Sequence, residues 1–398
     1  MLGPEFCTRP RGARSRGAAL TFVFATVVAA AAVTNCLPQD EERTPEPRPA
    51  ARSAARSAEK PSTVDREELA RAAREAMADG KSAAKAAEEV VSRSGDRWGA
   101  VYDRREYEEF EQALDGAYTG VGLSARRDED GRVEVARVQP GGPAAEAGLK
   151  PGDRLRTVDG RPVGGRSVSE VVALLRGDAG TPVVLGLERG TRGWTQTLRR
   201  ARLATEDVTV QPLADGDGAA RIVRIKVSAF TKGTGERVRR AVREAPDGAG
   251  VVLDLRGSSG GLVSEAVSVA SAFLDGGLVA TYDLHGEEKA LYAEPGGDTR
   301  RPLVALVDGG TMSAAELLAG ALQDRGRAVT VGTRTFGKGA VQMPSRLPDG
   351  SVAELTVGHY RTPAGHAVDG RGITPDVTAP SRAEERARTV LSGLGTPS

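Results

Sequence analysis

The chain has 398 residues, with 55 Lys+Arg against 54 Asp+Glu and a net charge of +1. That balance leaves no electrostatic footprint for nucleic acid, which requires cations clustered on one face, so no nucleic-acid partner is expected. Gly 50 and Pro 22 are abundant but follow no three-residue period, which excludes collagen, and the length suits two or three folded units.

At the amino-terminal end, Arg9, Arg11, Arg14 and Arg16 precede an uncharged run of 17 residues, 18–34. This length is the lower limit for a spanning helix. The basic flank predicts that the start of the chain stays in the cytoplasm and the remainder is exported. Three fates compete: cleavage beside the small residues 29–32, lipidation of Cys36 (where Asn35 is a poor fit to the step), or retention as an anchor. Export with membrane retention is the expectation, residues 1–38 forming the signal or anchor segment. Residues 39–62 are charged, Pro/Ala-rich and nearly free of large apolar side chains, and read as a tether. The only cysteines, Cys7 and Cys36, precede the foldable region, so a disulfide framework and a cysteine zinc site are excluded there.

Residues 63–115 carry a helical pattern. Ser62 and Asp65 suggest a capping box opening a helix over 64–79, and Tyr107, Phe110 and Leu114 form one stripe of a further helix. Such stripes are ordinary packing surfaces or could pair two chains, so a homo-oligomer stays open. At Gly116 the period changes to two. Val121/Leu123 and Val133/Val135 alternate around the turn 128–131, a hairpin signal. The run PAAEAGLKPGDRLRTVDG (143–160), a helix over 167–176 and two further strands follow. Residues 116–205 resemble a PDZ domain of the bacterial type. The resemblance implies that Gly120, Val121, Gly122 and Leu123 present N–H groups to a peptide carboxylate, with the peptide adding as a strand. Val171 and Leu175 would then line the pocket for an apolar terminal side chain. Taken alone, Gly120 and Gly122 merely relieve a tight turn.

Residues 206–380 alternate near-continuous apolar strands (222–227, 250–255, 302–307, 328–332) with helices (234–245, 262–274, 314–325), the pattern of a sheet buried on both faces. Three strand ends carry candidate chemistry. In the first, Asp254-Leu255-Arg256 runs into Gly260 and Gly261, whose free N–H groups could hold an oxyanion. In the second, a glycine turn leads to Ser313 and a helix. With Glu316 three residues on, Ser313 taken alone reads better as an N-cap; the two roles are not exclusive, since the Ala314 N–H adjoins it as an oxyanion donor. In the third, Lys338 lies between Gly337 and Gly339, after Phe336. Eight cations in this chain are lysine and 47 arginine, and that bias counts against a generic solvated loop cation here. Lysine can shed its proton when desolvated, whereas arginine effectively cannot.

Asp-Leu-Arg…Gly-Gly, then Ser-Ala-x-Glu, then Gly-Lys-Gly with Gln342 four residues beyond Lys338, and finally Gly-Arg-Gly-Ile-Thr-Pro-Asp (370–376), resemble the carboxyl-terminal processing (tail-specific) serine peptidases. The resemblance spans about 98–377. It implies an α/β fold, a ClpP/crotonase-like β/α core with an inserted PDZ domain and an N-terminal helical region, ending in a tail, 381–398. It also implies Ser313 as nucleophile, Lys338 as base, Gln342 orienting Lys338, and polypeptides with exposed C-termini as substrates. The family often carries Asn in the loop after Asp-Leu-Arg, where this chain has Gly257-Ser258-Ser259. His285, His359 and His366 show neither metal-ligand spacing nor a convincing triad placement, and no metal or cofactor is expected; His285 is the one to test. A lysine base must become easier to deprotonate by roughly 4 kcal/mol, which requires a closed apolar pocket, with Phe336 as a wall. Glycine-rich stretches at 116–122 and 203–218 are expected to act as hinges. Two other readings are a crotonase-type thioester enzyme and a non-catalytic peptide-binding scaffold.

Overall fold

The computed structural model describes residues 64–128, 130–213, 222–284 and 287–394. The readings for the amino-terminal segment and tether, for Ser62 and for His285 fall outside them. Among the described residues no helix is long and apolar enough to cross a membrane.

The core is built on a six-stranded sheet in the order Val208–Leu213, Ile222–Val227, Gly250–Asp254, Leu303–Val307, Val329–Gly332, Val377–Thr378. The first pair is antiparallel and the rest are parallel. Gly250–Asp254 and Leu303–Val307 are buried at every position because both faces are covered. Val251, Leu253, Leu303, Ala305 and Val307 point to the side packed by helices Thr234–Glu244, Val263–Ala270 and Ala314–Asp324. Val252, Val304 and Leu306 point to the other, where Ala387 and Leu391 of the C-terminal helix Ala383–Leu394 seal them. Near-continuous apolar strands therefore follow from two-sided burial.

A second, five-stranded sheet joins Ala100–Tyr102, Val352–Arg361, Leu278–Leu284 and Glu287–Tyr292, with Ala340–Arg346 pairing to Val352–Arg361. The amino-terminal region is thereby built into the core. Its strand pairs with Val352–Arg361, and Leu69, Ala73, Ala87 and Val90 share a cluster with Leu347, Ala353 and Leu355. Among the described residues the first helix is Arg66–Ala78, shorter than the 64–79 reading. Asp65 caps it by accepting the Glu67 N–H at 2.8 Å, and Val64 turns inward instead.

The PDZ domain interrupts this core. Its sheet runs Leu123–Arg127, Val133–Val138, Arg154–Val158, Pro182–Arg189, Arg192–Arg199, leaving Leu123–Arg127 as an edge strand. Ser167 and Glu170 form a capping box on the helix Val168–Leu175. The two connections to the core, beside the glycine-rich stretches read as hinges, pair with each other. Ala117–Gly120 runs antiparallel to Ala201–Ala204, so the PDZ domain is joined through a two-stranded ribbon. On the flank of this ribbon Arg202 reaches Asp115 at 3.0 Å and Arg176 approaches Glu109 at 3.7 Å.

Candidate active site

Ser313 precedes helix Ala314–Asp324 at the end of strand Leu303–Val307, with φ +55° and ψ −120°. A capping residue ordinarily has extended backbone, so the cap accounts for only part of this position. A non-glycine residue held there costs on the order of 1–3 kcal/mol and persists only where surrounding contacts over-determine it. Glu316 supplies several of those contacts. Its fully buried carboxylate accepts the N–H groups of Ser313 (2.9 Å), Lys338 (2.8 Å) and Gly337 (2.7 Å), and the Thr335 hydroxyl (2.5 Å). Burial pushes the Glu316 carboxyl above its ordinary value, against the pull of these four donors. Four donors around one side chain suit the ionised, acceptor-only form. The capping box foreseen at Ser313 and Glu316 is therefore part of a larger tie that also gathers the lysine loop.

Gly260 lies against the serine. A Cβ built on it would meet the Met312 carbonyl at 2.8 Å and Ser313 Cβ at 2.9 Å, and Gly260 has φ +83°. Gly261 is pressed against the Phe230 backbone, 2.4 Å from its carbonyl oxygen by the same construction. Among the described residues no acceptor takes the N–H of Gly260, Gly261 or Ala314. Asp308 braces the neighbouring turn by accepting the N–H groups of Gly257 and Gly310, each at 2.9 Å, and Met312 N–H donates to the Ser258 carbonyl at 3.0 Å. Asp254 and Arg256 pair at 2.8 and 2.7 Å at the base of the loop. The arrangement brings donors for an anion beside a strained serine, which is what an oxyanion hole needs. Gly260→Ala is expected to lower kcat at least about tenfold, because its methyl group forces this loop off Ser313; steady-state kinetics with a thermal melt check it.

Lys338 sits where Gly337 and Gly339 let its loop press on residues 369–372. Added Cβ atoms would lie 3.1 Å from Gly372 N and 2.4 Å from Asp369 N, respectively. Phe336, expected as a pocket wall, is 49% exposed. The apolar cover comes instead from Trp98, whose ring centroid is 5.6 Å from Lys338 Nζ. Burial lowers the Lys338 ammonium below its ordinary value, opposed by the negative charges of Glu354, Asp96 and Asp369. No hydrogen bond joins the side chains of Lys338 and Ser313; the ammonium rests at the indole. Gln342 donates its side-chain amide to the Trp98 carbonyl and makes no hydrogen bond to Lys338, so its path to the lysine runs through Trp98. Asp369 fixes the other end of Trp98, accepting the indole N–H at 2.8 Å and the Gly339 N–H at 3.1 Å. His359 lies 3.8 Å from Asp369, and His366 lies 3.5 Å from Asp324; neither is paired with Ser313.

In the PDZ domain, Gly120 ends the strand paired with Ala201–Ala204, and Val121 and Gly122 connect it to the edge strand that Leu123 opens; Gly122 has φ +76°. Among the described residues no acceptor takes the N–H of Val121 or Gly122. Val171 and Leu175 are buried in the domain's core with Val121, so an apolar side chain would reach them only by entering beside that helix. Sequence reasoning did not single out Trp98, Tyr360, Glu354 or Asp369. Tyr360 alone had a local sign, as a large aromatic in an apolar strand, and that sign points equally to packing.

Ser313 at a helix start and the half-buried Lys338 thus stand on two loops gathered by one carboxylate, in a core that carries an inserted PDZ domain. The peptidase family S41 model matches residues 221–379, and a PDZ domain model matches 134–189. The carboxyl-terminal-processing protease of Synechocystis is 35% identical over 297 residues, covering 73% of this chain and 69% of that protein. The carboxy-terminal processing protease CtpA of Bacillus subtilis is 31% identical over 295 residues, covering 73% of this chain and 62% of that protein. The chain belongs to the S41 family of carboxyl-terminal processing peptidases. The match spans about three-fifths of the length of the Bacillus subtilis protein and of carboxyl-terminal-processing peptidase 3 of Arabidopsis thaliana, which is 35% identical over 303 residues. A candidate S41 protease structure from Bacteroides fragilis shares the fold, with a TM-score of 0.50 at 18% identity, covering 75% of this chain and 82% of that one.

Proposed function

We propose that this protein is an exported serine endopeptidase that captures unstructured protein C-termini through its PDZ domain and hydrolyses peptide bonds with a Ser313–Lys338 dyad. The observation that carries the reading is the shared anchoring of the two residues: one buried carboxylate, Glu316, holds both of their backbone N–H groups. In this mechanism the Lys338 amine leaves Trp98, takes the Ser313 Oγ proton as Oγ attacks the scissile carbonyl, and returns a proton to the leaving amine. The tetrahedral oxyanion is received by the N–H groups of Gly260 and Ala314, with Gly261 adjoining. Water then attacks the acyl-enzyme with Lys338 again as base. Gln342 acts by holding Trp98, against which Lys338 rests.

The PDZ domain supplies the substrate. A peptide adds to the free edge of Leu123–Arg127, with its carboxylate at the vacant N–H groups of Val121 and Gly122. The run 18–34 with its basic flank supports export and membrane retention. The test is cleavage of one unstructured substrate with a free and with an amidated C-terminus. The free form is expected to show at least about tenfold higher kcat/KM, through loss of a charge-assisted carboxylate contact in the amide. Equal values would remove PDZ capture of the terminus, and absence of any cleavage would favour a non-catalytic peptide-binding scaffold.

A further inference from the structure

We infer that the Tyr360 hydroxyl is a positioning group for the dyad, tying the backbones of Ser313 and Lys338 so that lysine and serine meet in register. The inference rests on the dyad reading above. Tyr360 lies on strand Val352–Arg361 and is 2% exposed. Its hydroxyl oxygen is 2.8 Å from the Ser313 carbonyl and 3.1 Å from the Lys338 carbonyl. Its own N–H donates to the Gly339 carbonyl at 2.9 Å, so the strand holds the lysine loop at a second point.

The need for such a tie follows from the geometry. The Ser313 carbonyl is also held within its own helix, accepting the Glu316 N–H at 2.8 Å and the Leu317 N–H at 3.0 Å, so what the hydroxyl adds is the link from that carbonyl to the Lys338 carbonyl. Ser313 also has a backbone conformation that relaxes once its restraints are removed. Glu316 restrains the N–H side of both residues and Tyr360 the carbonyl side. With both in place, swinging Lys338 Nζ from Trp98 toward Ser313 needs side-chain rotation alone. Without the hydroxyl the two main chains part, and each swing ends in a range of positions. Near-attack geometry is sensitive at the level of 1 Å, so the loss falls on the chemical step and not on substrate capture.

The experiment is Tyr360→Phe beside Lys338→Ala, with steady-state kinetics on a tail-bearing substrate across pH and a thermal melt. The expected result for Tyr360→Phe is a fall in kcat of about 10- to 100-fold with KM within twofold of the parent, and an acid limb displaced to higher pH as the lysine becomes more hydrated. A kcat within twofold of the parent, while Lys338→Ala is inactive, overturns the inference and leaves the dyad standing. An active Lys338→Ala overturns the dyad itself. Should the Phe variant not fold, 3-fluorotyrosine at position 360 supplies the second reading. Its fluorine resonance is expected to shift when a fluorophosphonate modifies Ser313, and an unmoved resonance overturns the tie.

Discussion

Lys338→Ala is expected to lower kcat by about 10³-fold or more without unfolding the protein, and Ser313→Ala to do the same. The two losses should not add, since each removes one half of a single proton transfer. The pH dependence has a definite sign. Burial lowers the Lys338 ammonium from its ordinary 10.5. The amine form, and kcat/KM with it, therefore rises with pH along a limb lying below 10.5. Between the folded and unfolded values the unfolded chain binds more protons, so stability also rises with pH across that window. Below it, the half-buried ammonium is a cost to the fold. Lys338→Met, apolar and of similar length, is thus expected to raise the melting temperature while abolishing cleavage. A lower melting temperature for that variant would mean that the contact with Trp98 outweighs the burial.

Glu316→Gln should be the other severe change. The carboxylate accepts from four donors. An amide keeps one oxygen and turns an NH2 group toward two of those donors, leaving them unpaired in a buried site. The expected cost is about 2–5 kcal/mol of stability and at least about 10²-fold in kcat, because Ser313 and the Gly337–Lys338 backbone lose their common anchor. Urea denaturation and kinetics on the same preparation measure both. A normal kcat in a destabilised Glu316→Gln would show that the carboxylate merely holds the loops together.

What could be read from the sequence follows the range of the interactions. The β/α core was legible because strands such as Gly250–Asp254 are apolar at each position, and the PDZ sheet because Leu123–Arg127 and Val133–Val138 alternate about a turn. Gly260, Ser313 and Lys338 announced themselves through glycines at strand ends, and the Cβ construction gives the reason for Gly337 and Gly339. The wall of the lysine site was not legible. Trp98 and Asp369 meet across 271 residues of sequence, and nothing local in Asp96-Arg97-Trp98-Gly99 marks the tryptophan as a cover for Lys338. Phe336 was the neighbouring apolar residue and so the natural choice, yet the turn that presses Gly337 on Gly372 leaves the phenyl ring half in solvent. The connections at Ala117–Gly120 and Ala201–Ala204 are short and lie beside glycine-rich stretches. Only their mutual pairing, invisible along either segment, makes them a ribbon.

The most direct measurement is a crystal structure of the enzyme trapped with a tetrahedral phosphonate on Ser313. The account predicts Lys338 Nζ off the Trp98 ring and within about 3 Å of Ser313 Oγ, with the phosphonate oxygen held by the Gly260 and Ala314 N–H groups. Lys338 still lodged on Trp98 in that adduct, with another group beside Oγ, would contradict it.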